Sequence, residues 1–131
     1  MVSKQINVVG AVIVKDGDIL CAQRGSGALA GMWEFPGGKI EPDETPRDAL
    51  IREIDEELHC TVVVGDEVTT TTHEYDFGII TLTTFRCDLV EGTPVLTEHA
   101  AVRWLAPAKL SELEWAPADV PAVELLQRDL A

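Results

Sequence analysis

An acidic segment over residues 38–60 constrains the fold of this chain more than any other feature. Thr45 followed by Pro46 predicts a helix start, with a hydroxyl N-cap and proline at the first helical position. Asp48, three residues after Thr45, adds a negative charge that suits a helix N-terminus. The segment therefore predicts an amphipathic helix that begins at Thr45, shortly after a double-glycine turn.

Three glutamates of this helix share one face. At about 100° per residue, Glu53, Glu56 and Glu57 fall within an arc of roughly 100°. A neighbouring apolar face is predicted to be buried, and it consists of Leu50, Ile51, Ile54 and Leu58. An acidic helical face is usually only solvated, but carboxylates clustered beside an apolar seam repel one another unless a cation lies among them. The spacing thus indicates a hard-metal site, with a solvated surface as the alternative.

The full pattern, G-x5-E-x7-R-E-I-x-E-E, resembles the Nudix box. It is formed by Gly38, Glu44, Arg52, Glu53, Ile54, Glu56 and Glu57. His59 departs from the family pattern, which usually has a glycine at that position. Because glycine suits a left-handed helix C-cap, His59 must adopt that conformation at some cost or end the helix differently.

Patterning along the rest of the chain predicts strands on both sides of the acidic helix. Strands are predicted at 6–14, 18–23, 61–68, 69–75, 79–89 and 101–105, and helical segments at 107–113 and 120–130. This mixture indicates an α/β or α+β domain. The Nudix resemblance implies an α/β/α sandwich, in which a mixed sheet lies between helices and the box forms a loop-helix-loop.

Charge and length limit the classes of partner. The net charge of −13, from 23 acidic and 10 basic residues, repels nucleic-acid polymers and anionic membranes. We expect residues 1–131 to form a single domain, present as a monomer or homodimer. The sequence shows no leader pattern and no apolar run long enough to span a membrane, so a cytoplasmic location is expected.

Several apolar and sulfur-containing side chains are predicted to belong to the core. The cysteines lack metal-finger or redox spacing, which favours buried thiols in a reducing compartment; they are Cys21, Cys60 and Cys87. Large apolar side chains near the motifs are more often core residues than base-stacking ones; they are Trp33, Phe35, Phe77 and Leu82.

The resemblance implies a magnesium site, with manganese as an alternative ion. In Nudix enzymes the corresponding residues hold the metal, which assigns Glu53, Glu56, Glu57 and the backbone carbonyl of Gly37 as ligands. Glu98 resembles a loop carboxylate that joins this site in the MutT-like branch, and its alternative is a surface glutamate. Carboxylate and carbonyl oxygens are the ligands that Mg²⁺ prefers.

The implied reaction is the attack of water on a phosphorus of a nucleoside triphosphate, giving a nucleoside monophosphate and pyrophosphate. A carboxylate must accept the proton of the water. Glu53 is the first candidate for this base, with Glu44 assisting it and Glu98 as the alternative. Arg52 is interpreted as a structural partner that holds the glutamates by charge-assisted hydrogen bonds.

The resemblance extends beyond the box, over residues 8–14, 23–24, 31–44 and 115–121, and is closest to the MutT-like branch. Members of that branch hydrolyse 8-oxo-dGTP or, in a sister group, CTP, dCTP and 5-methyl-dCTP. Candidate substrate-binding residues are Arg24, Phe35, Lys39 and Asp119, although either cation could equally be solvated. An ionised Asp119 can only accept hydrogen bonds, which suits an exocyclic amine of the base; alternatively, it caps the helix that follows.

Two other functions stay open at this point. One is a Nudix hydrolase for ADP-ribose or a dinucleoside polyphosphate, against which the short chain argues mildly. The other is a catalytically silent nucleotide sensor. Sensors of this fold tend to lose box glutamates, whereas Glu44, Glu53, Glu56 and Glu57 are all present here.

Overall fold

The computed structural model describes residues 4–130 and has a seven-stranded mixed sheet at its centre. The strands are β1 Gln5–Lys15, β2 Asp18–Arg24, β3 Trp33–Glu34, β4 Gly37–Lys39, β5 Thr61–Tyr75, β6 Gly78–Glu91 and β7 His99–Leu105. The order is β3-β2-β1-β6-β5, with β4 paired to β1 and β7 paired to β2. β1 and β6 pair in parallel, and the other strand pairs of the described residues are antiparallel.

Two α-helices cover opposite faces of the sheet. They are α1 Pro46–Leu58 and α2 Val120–Leu130, and short 3-10 helices lie at Pro107–Glu112 and Pro117–Asp119. Alternate residues of β1 point to opposite faces, as strand geometry requires. Ala11 and Ile13 pack in the cluster that contains the buried face of α1, whereas Val12 packs with α2. The predicted sandwich of a mixed sheet between helices is confirmed.

The helix start was predicted correctly, and one residue of its buried face was not. Thr45 Oγ1 accepts a hydrogen bond from Asp48 N at 3.1 Å, and Pro46 is the first helical residue. The prediction that Ile51 is buried was wrong, because this residue is 41% exposed. At about 100° per residue Ile51 lies beyond Leu58, at the rim of the buried face. The buried residues are Ala49, Leu50, Ile54 and Leu58.

The strand predictions need two corrections. Segments 61–68 and 69–75 form one strand, Thr61–Tyr75, which stays paired with β6. Register shifts between Val64 and Thr69 absorb extra residues as β-bulges without ending the strand. The short strands β3 and β4 had not been predicted, since two or three residues carry no periodic signal.

Predictions about buried side chains were mostly confirmed. All three cysteines are free and buried. Burial raises the pKa of the Cys21 and Cys87 thiols to about 12 and also raises the pKa of Cys60, so none is a reactive thiolate near neutral pH. Phe77 is the exception to the predicted core, because this residue is 46% exposed. Within residues 4–130, no helix is long and apolar enough to cross a membrane.

His59 ends α1 in the left-handed conformation, with φ 55° and ψ 40°, and its N–H donates to Asp55 O at 3.0 Å. A residue with a Cβ is strained there, whereas glycine is not. We therefore expect His59→Gly to raise the free energy of unfolding by about 0.5–1 kcal/mol, measured by urea denaturation. His59→Ala keeps the Cβ and serves as the control. A His59→Gly protein no more stable than His59→Ala would contradict this account of the cap.

Candidate active site

Glu53 and Glu57 lie on the side of α1 that faces the protein. At about 100° per residue, they fall between the buried Ala49 and Leu50 around the helix. The Glu53 side chain is only 14% exposed, whereas that of Glu56, at the edge of this face, is 60% exposed. The three box glutamates therefore occupy different environments, although they share one arc of the helix.

Arg52 is the centre of a charged network around these glutamates. Its Nε and Nη2 donate to the two oxygens of Glu44 at 2.7 and 2.9 Å, which makes a bidentate pair. Its Nη1 donates to Glu53 Oε1 at 2.9 Å and to Glu56 Oε2 at 3.2 Å. Nη2 also donates to the Lys39 carbonyl at 3.1 Å, so Arg52 links α1 to β4. These charge-assisted hydrogen bonds fix the position of the glutamates.

The hydrogen bonds of Glu44 argue against the expected role of this residue as an assisting base. Glu44 Oε1 accepts a hydrogen bond from the Glu41 N–H at 2.9 Å in addition to the pair with Arg52. The hydrogen bonds from Arg52 and from the Glu41 backbone lower the pKa of Glu44 to about 2. A carboxylate so stabilised is a poor proton acceptor near neutral pH. Glu44 instead anchors Arg52.

Glu57 is a partly buried carboxylate that lies near other carboxylates. Among residues 4–130, Glu57 Oε2 is buried and has no hydrogen-bond donor. Burial raises the pKa of Glu57 to about 8, and the negative charges of Glu53, Glu34 and Glu98 contribute in the same direction. Unpaired negative charge of this kind is stabilised by a cation placed among the carboxylates.

The loop that carries Glu98 is attached to the C-terminal end of α1. Thr97 Oγ1 donates to the Glu57 carbonyl at 2.6 Å, and Val95 N donates to the Leu58 carbonyl at 3.0 Å. These bonds satisfy carbonyls that the helix itself leaves free. They also bring Glu98 close enough to Glu57 to affect its titration.

The donor set suits a hard cation, although it is not closed around one. In the part of the chain that the structure describes, no three His, Cys, Asp or Glu side chains are gathered in a metal-holding arrangement. Glu56 turns toward Arg52, and Glu98 is exposed on its loop. Glu57 Oε2, however, is an oxygen donor without a partner among residues 4–130, near the carboxylates of Glu53, Glu34 and Glu98. Oxygen donors of this chemistry fit Mg²⁺, which keeps several waters of its own.

The two glycines of β4 allow a close approach of backbone and side chains. A Cβ at Gly38 would overlap the carboxylate of Glu53, and a Cβ at Gly37 would overlap the Val9 carbonyl of β1. Glycine is therefore required at both positions for space, and the double glycine brings the β4 backbone against Glu53.

A cavity of about 530 Å³ lies beside this cluster. It extends from the acidic side chains Glu57 and Glu98 to the buried Asp119, across the apolar face of β1 and β6. The predicted residues that line it are Arg24, Phe35, Gly37, Lys39, Glu57, Glu98 and Asp119. Among residues 4–130, its lining leaves out Glu44, Arg52, Glu53 and Glu56, which lie around it on α1 and in the loop before α1.

Among the described residues, the hydrogen-bond partner of the Asp119 side chain lies on another segment of the chain and not at the start of α2. Asp119 Oδ1 accepts a hydrogen bond from the Phe35 N–H at 3.1 Å and joins two segments that are 84 residues apart. Burial raises the pKa of Asp119 to about 8, and the nearby charge of Glu34 adds to this effect. Burial thus favours the protonated side chain, which donates a hydrogen bond as well as accepting one, over the ionised acceptor expected from the sequence.

This protonation predicts a pH dependence of stability. Because the folded pKa is above the unfolded one, folded Asp119 keeps a proton that the unfolded chain releases. Stability should thus be lost as pH rises from about 4 to about 8, by up to about 1.4 kcal/mol per pH unit. Asp119→Asn cannot titrate, so its stability relative to the wild type should increase over this window. Urea denaturation of both proteins from pH 4 to 9 measures the difference; a constant difference would contradict the assignment.

Sequence reasoning missed Glu34 and His99. Glu34 Oε1 accepts from Arg24 Nη1 at 3.0 Å, and Glu34 Oε2 lies 3.1 Å from His99 Nε2. The His99 side chain is only 5% exposed, and its Nδ1 has no partner among the described residues. The side chains of Arg24, Glu34 and His99 all line the cavity between the acidic cluster and Asp119. The sequence carried one signal for Glu34, which is a charged residue between the apolar Trp33 and Phe35.

Comparison with known proteins places this arrangement in a family. The chain matches the model of the NUDIX domain over residues 8–125. It is 43% identical to the CTP pyrophosphohydrolase of Escherichia coli (strain K12), an alignment that covers 92% of this chain and 90% of that protein. It is 40% identical to the putative 8-oxo-dGTP diphosphatase 2 of Mycobacterium tuberculosis (strain H37Rv), over 96% and 90% of the two chains.

A solved structure agrees with these sequence relatives. The solution NMR structure of the DNA mismatch repair protein MutT, of the Nudix hydrolase family, from methicillin-resistant Staphylococcus aureus 252 superposes with a TM-score of 0.81 and 56% identity. The superposition covers 97% of this chain and 98% of the Staphylococcus aureus chain. The similarity thus includes the sheet, both helices and the loops that bound the cavity.

Proposed function

The chain belongs to the NUDIX domain family as a hydrolase of the MutT-like type, and from this we propose that it is a magnesium-dependent nucleoside triphosphate pyrophosphohydrolase. The reaction would convert a (d)NTP and water into the nucleoside monophosphate and pyrophosphate. Such a reaction would sanitise the nucleotide pool. We propose cytidine triphosphates and 8-oxo-dGTP as its candidate substrates, because relatives named for each are about equally similar to this chain.

One observation carries the proposal: a single cavity joins an acidic cluster to a buried hydrogen-bonding group beside an aromatic side chain. Glu57 and Glu98 line one end, whereas Asp119 and Phe35 line the other. A nucleotide has the same division, with phosphates at one end and a planar base with polar edges at the other. The volume of about 530 Å³ is in the range typical of small-molecule sites.

The net charge of −13 would repel a triphosphate unless cations mediate the contact. We assign Glu53, Glu56, Glu57, Glu98 and the Gly37 carbonyl to hold Mg²⁺, with Mn²⁺ as an alternative. When bound, such an ion neutralises charge on the phosphates and on the leaving pyrophosphate. The unpartnered Glu57 Oε2 supports this assignment.

Glu53 is assigned as the proton acceptor for the attacking water. Its carboxylate lies against the β4 glycines at the edge of the cavity, and Arg52 Nη1 holds one oxygen at 2.9 Å. Arg52 thereby orients the carboxylate, so that its second oxygen can accept the proton. Glu98 remains the alternative base, since its loop is attached to the end of α1.

Asp119 is assigned to recognise the base. A protonated Asp119 presents a donor and an acceptor, which match an edge with adjacent acceptor and donor groups, such as N3 and N4 of cytosine. Arg24 and Lys39 line the cavity and are assigned to contact the substrate. Arg24 also fixes Glu34, so its position is set within the site.

A substrate panel tests the proposed function. The purified protein is incubated with Mg²⁺ and CTP, dCTP, 5-methyl-dCTP, 8-oxo-dGTP, dGTP, ADP-ribose or diadenosine polyphosphates, and kcat/KM values are compared. We expect the highest value with a cytidine triphosphate or 8-oxo-dGTP. Preference for ADP-ribose or a dinucleoside polyphosphate would transfer the assignment to those diphosphates, and no turnover with any compound would favour a nucleotide sensor.

A further inference from the structure

Two stacked aromatic rings line the cavity at the β5–β6 turn. Tyr75 ends β5 and Phe77 lies in the turn, with ring centroids 4.9 Å apart and an interplanar angle of 9°. Both line the same cavity as Asp119 and Phe35. They therefore form an aromatic wall beside the group assigned to the base.

The position of this wall is fixed by contacts on its inner side. The Tyr75 hydroxyl accepts a hydrogen bond from the Ala118 N–H at 2.9 Å, directly before Asp119 in the chain. His73 packs against Tyr75 as well, with ring centroids 4.5 Å apart. Phe77 in turn stacks on Tyr75, so its ring is held in one orientation relative to the segment that carries Asp119.

Phe77 is only partly covered by these contacts. Phe77 is 46% exposed as a residue, in contrast to Phe35, which is 3% exposed. A single exposed apolar side chain needs no explanation by itself. Here, however, the exposed ring is aromatic, oriented by a neighbour and part of a cavity wall. An aromatic face in such a place is suited to pack against a second planar ring.

We propose that Phe77 is a substrate-binding residue of this site, whose free ring surface stacks on the nucleobase while Asp119 forms hydrogen bonds with the base edge. The inference rests on the proposed function for the identity of the ligand as a nucleotide. Apolar side chains of β1 and β6, including Val8 and Leu82, line the same cavity. Aromatic and apolar walls with one hydrogen-bonding group at the edge match a flat heteroaromatic ring.

Binding of ligands that are not hydrolysed tests the proposal. CMP and GMP carry a base, whereas ribose 5-phosphate carries the same sugar phosphate without one. We expect Phe77→Ala to weaken binding of the nucleoside monophosphates by about tenfold in calorimetric titrations, since stacking on an aromatic side chain contributes on that scale. Binding of ribose 5-phosphate should not change, and Phe77→Trp should restore nucleotide affinity.

Val90→Ala is the matched control, because Val90 is an exposed apolar residue of β6 that does not line the cavity within the described residues. It should bind all ligands as the wild type does. Phe77→Ala affinity for CMP and GMP within twofold of wild type would overturn the proposal. An equal loss for ribose 5-phosphate would also overturn it, because the effect would not depend on the base.

The outcome separates this inference from the proposed function. A wild-type protein that hydrolyses triphosphates with a KM unaffected by Phe77→Ala refutes the stacking role alone. A wild-type protein that hydrolyses none of them refutes the proposed reaction, while the monophosphate titrations still decide the role of Phe77. Phe77→Leu provides a second variant that keeps an apolar side chain in the turn, and it should lose nucleotide affinity as Phe77→Ala does.

Discussion

Glu53→Gln is expected to lower kcat by about 10²–10⁴-fold while the fold stays intact, because the amide cannot accept the proton of the attacking water. The amide oxygen of this variant can still accept the hydrogen bond from Arg52 that Glu53 Oε1 accepts at 2.9 Å. The glutamine side chain also has nearly the volume of the glutamate that lies against Gly38. Steady-state kinetics with the best triphosphate measures the loss, and thermal unfolding followed by circular dichroism checks the fold.

Glu124→Gln is the matched control for this substitution. Glu124 is an exposed residue of α2, the helix on the opposite face of the sheet from α1, so its substitution should leave kcat unchanged. Equal turnover of Glu53→Gln and wild type would refute Glu53 as the base. A normal rate in Glu53→Gln together with a large loss in Glu98→Gln would transfer the role to Glu98.

The second large effect is expected at Glu57 rather than Glu56. Glu57→Gln should raise the Mg²⁺ concentration needed for half-maximal rate by about 10–100-fold, whereas Glu56→Gln should raise it much less. The reason is their surroundings, since Glu57 has a buried oxygen that no described residue partners, and Glu56 is 60% exposed and bonded to Arg52. Magnesium titrations of the initial rate of both variants measure the difference.

The pair of variants is its own control, because the same chemical change is made on adjacent residues of one helix. Similar Mg²⁺ requirements for Glu57→Gln and the wild type would contradict the assignment of Glu57 as a metal ligand. A larger effect at Glu56 would mean that its carboxylate leaves Arg52 when the cation binds.

The fold features that could be predicted were those encoded by neighbouring residues. Thr45 and Pro46 define the start of α1 locally, and the hydrophobic periodicity of the long strands gave their positions. The strands β3 and β4 could not be predicted, because they exist only through pairing with β2 and β1. Likewise, the β-bulges of β5 depend on its register against β6 and have no signature within one strand.

In the site, too, the features encoded by neighbouring residues could be predicted and those that depend on tertiary packing could not. The spacing of Glu53, Glu56 and Glu57 predicted a shared face, but their unequal burial depends on how α1 packs on the sheet. The pKa of Asp119 depends on its burial in the folded chain, which neighbouring residues do not reveal, and its hydrogen-bond partner, the Phe35 N–H, is 84 residues away. The contact of Glu34 with His99 spans 65 residues and could not be inferred from either neighbourhood. The motifs thus indicated which residue types form the site, whereas tertiary packing determines how deeply each is buried and how its pKa is shifted.

The identity of the two phosphorus products tests the central claim most directly. The protein is incubated with Mg²⁺ and dCTP, and in parallel with 8-oxo-dGTP, and the products are followed by phosphorus NMR. We predict equal amounts of pyrophosphate and nucleoside monophosphate from at least one of them. Formation of inorganic phosphate and nucleoside diphosphate, or no product from either triphosphate, would contradict the assignment of this chain as a nucleoside triphosphate pyrophosphohydrolase.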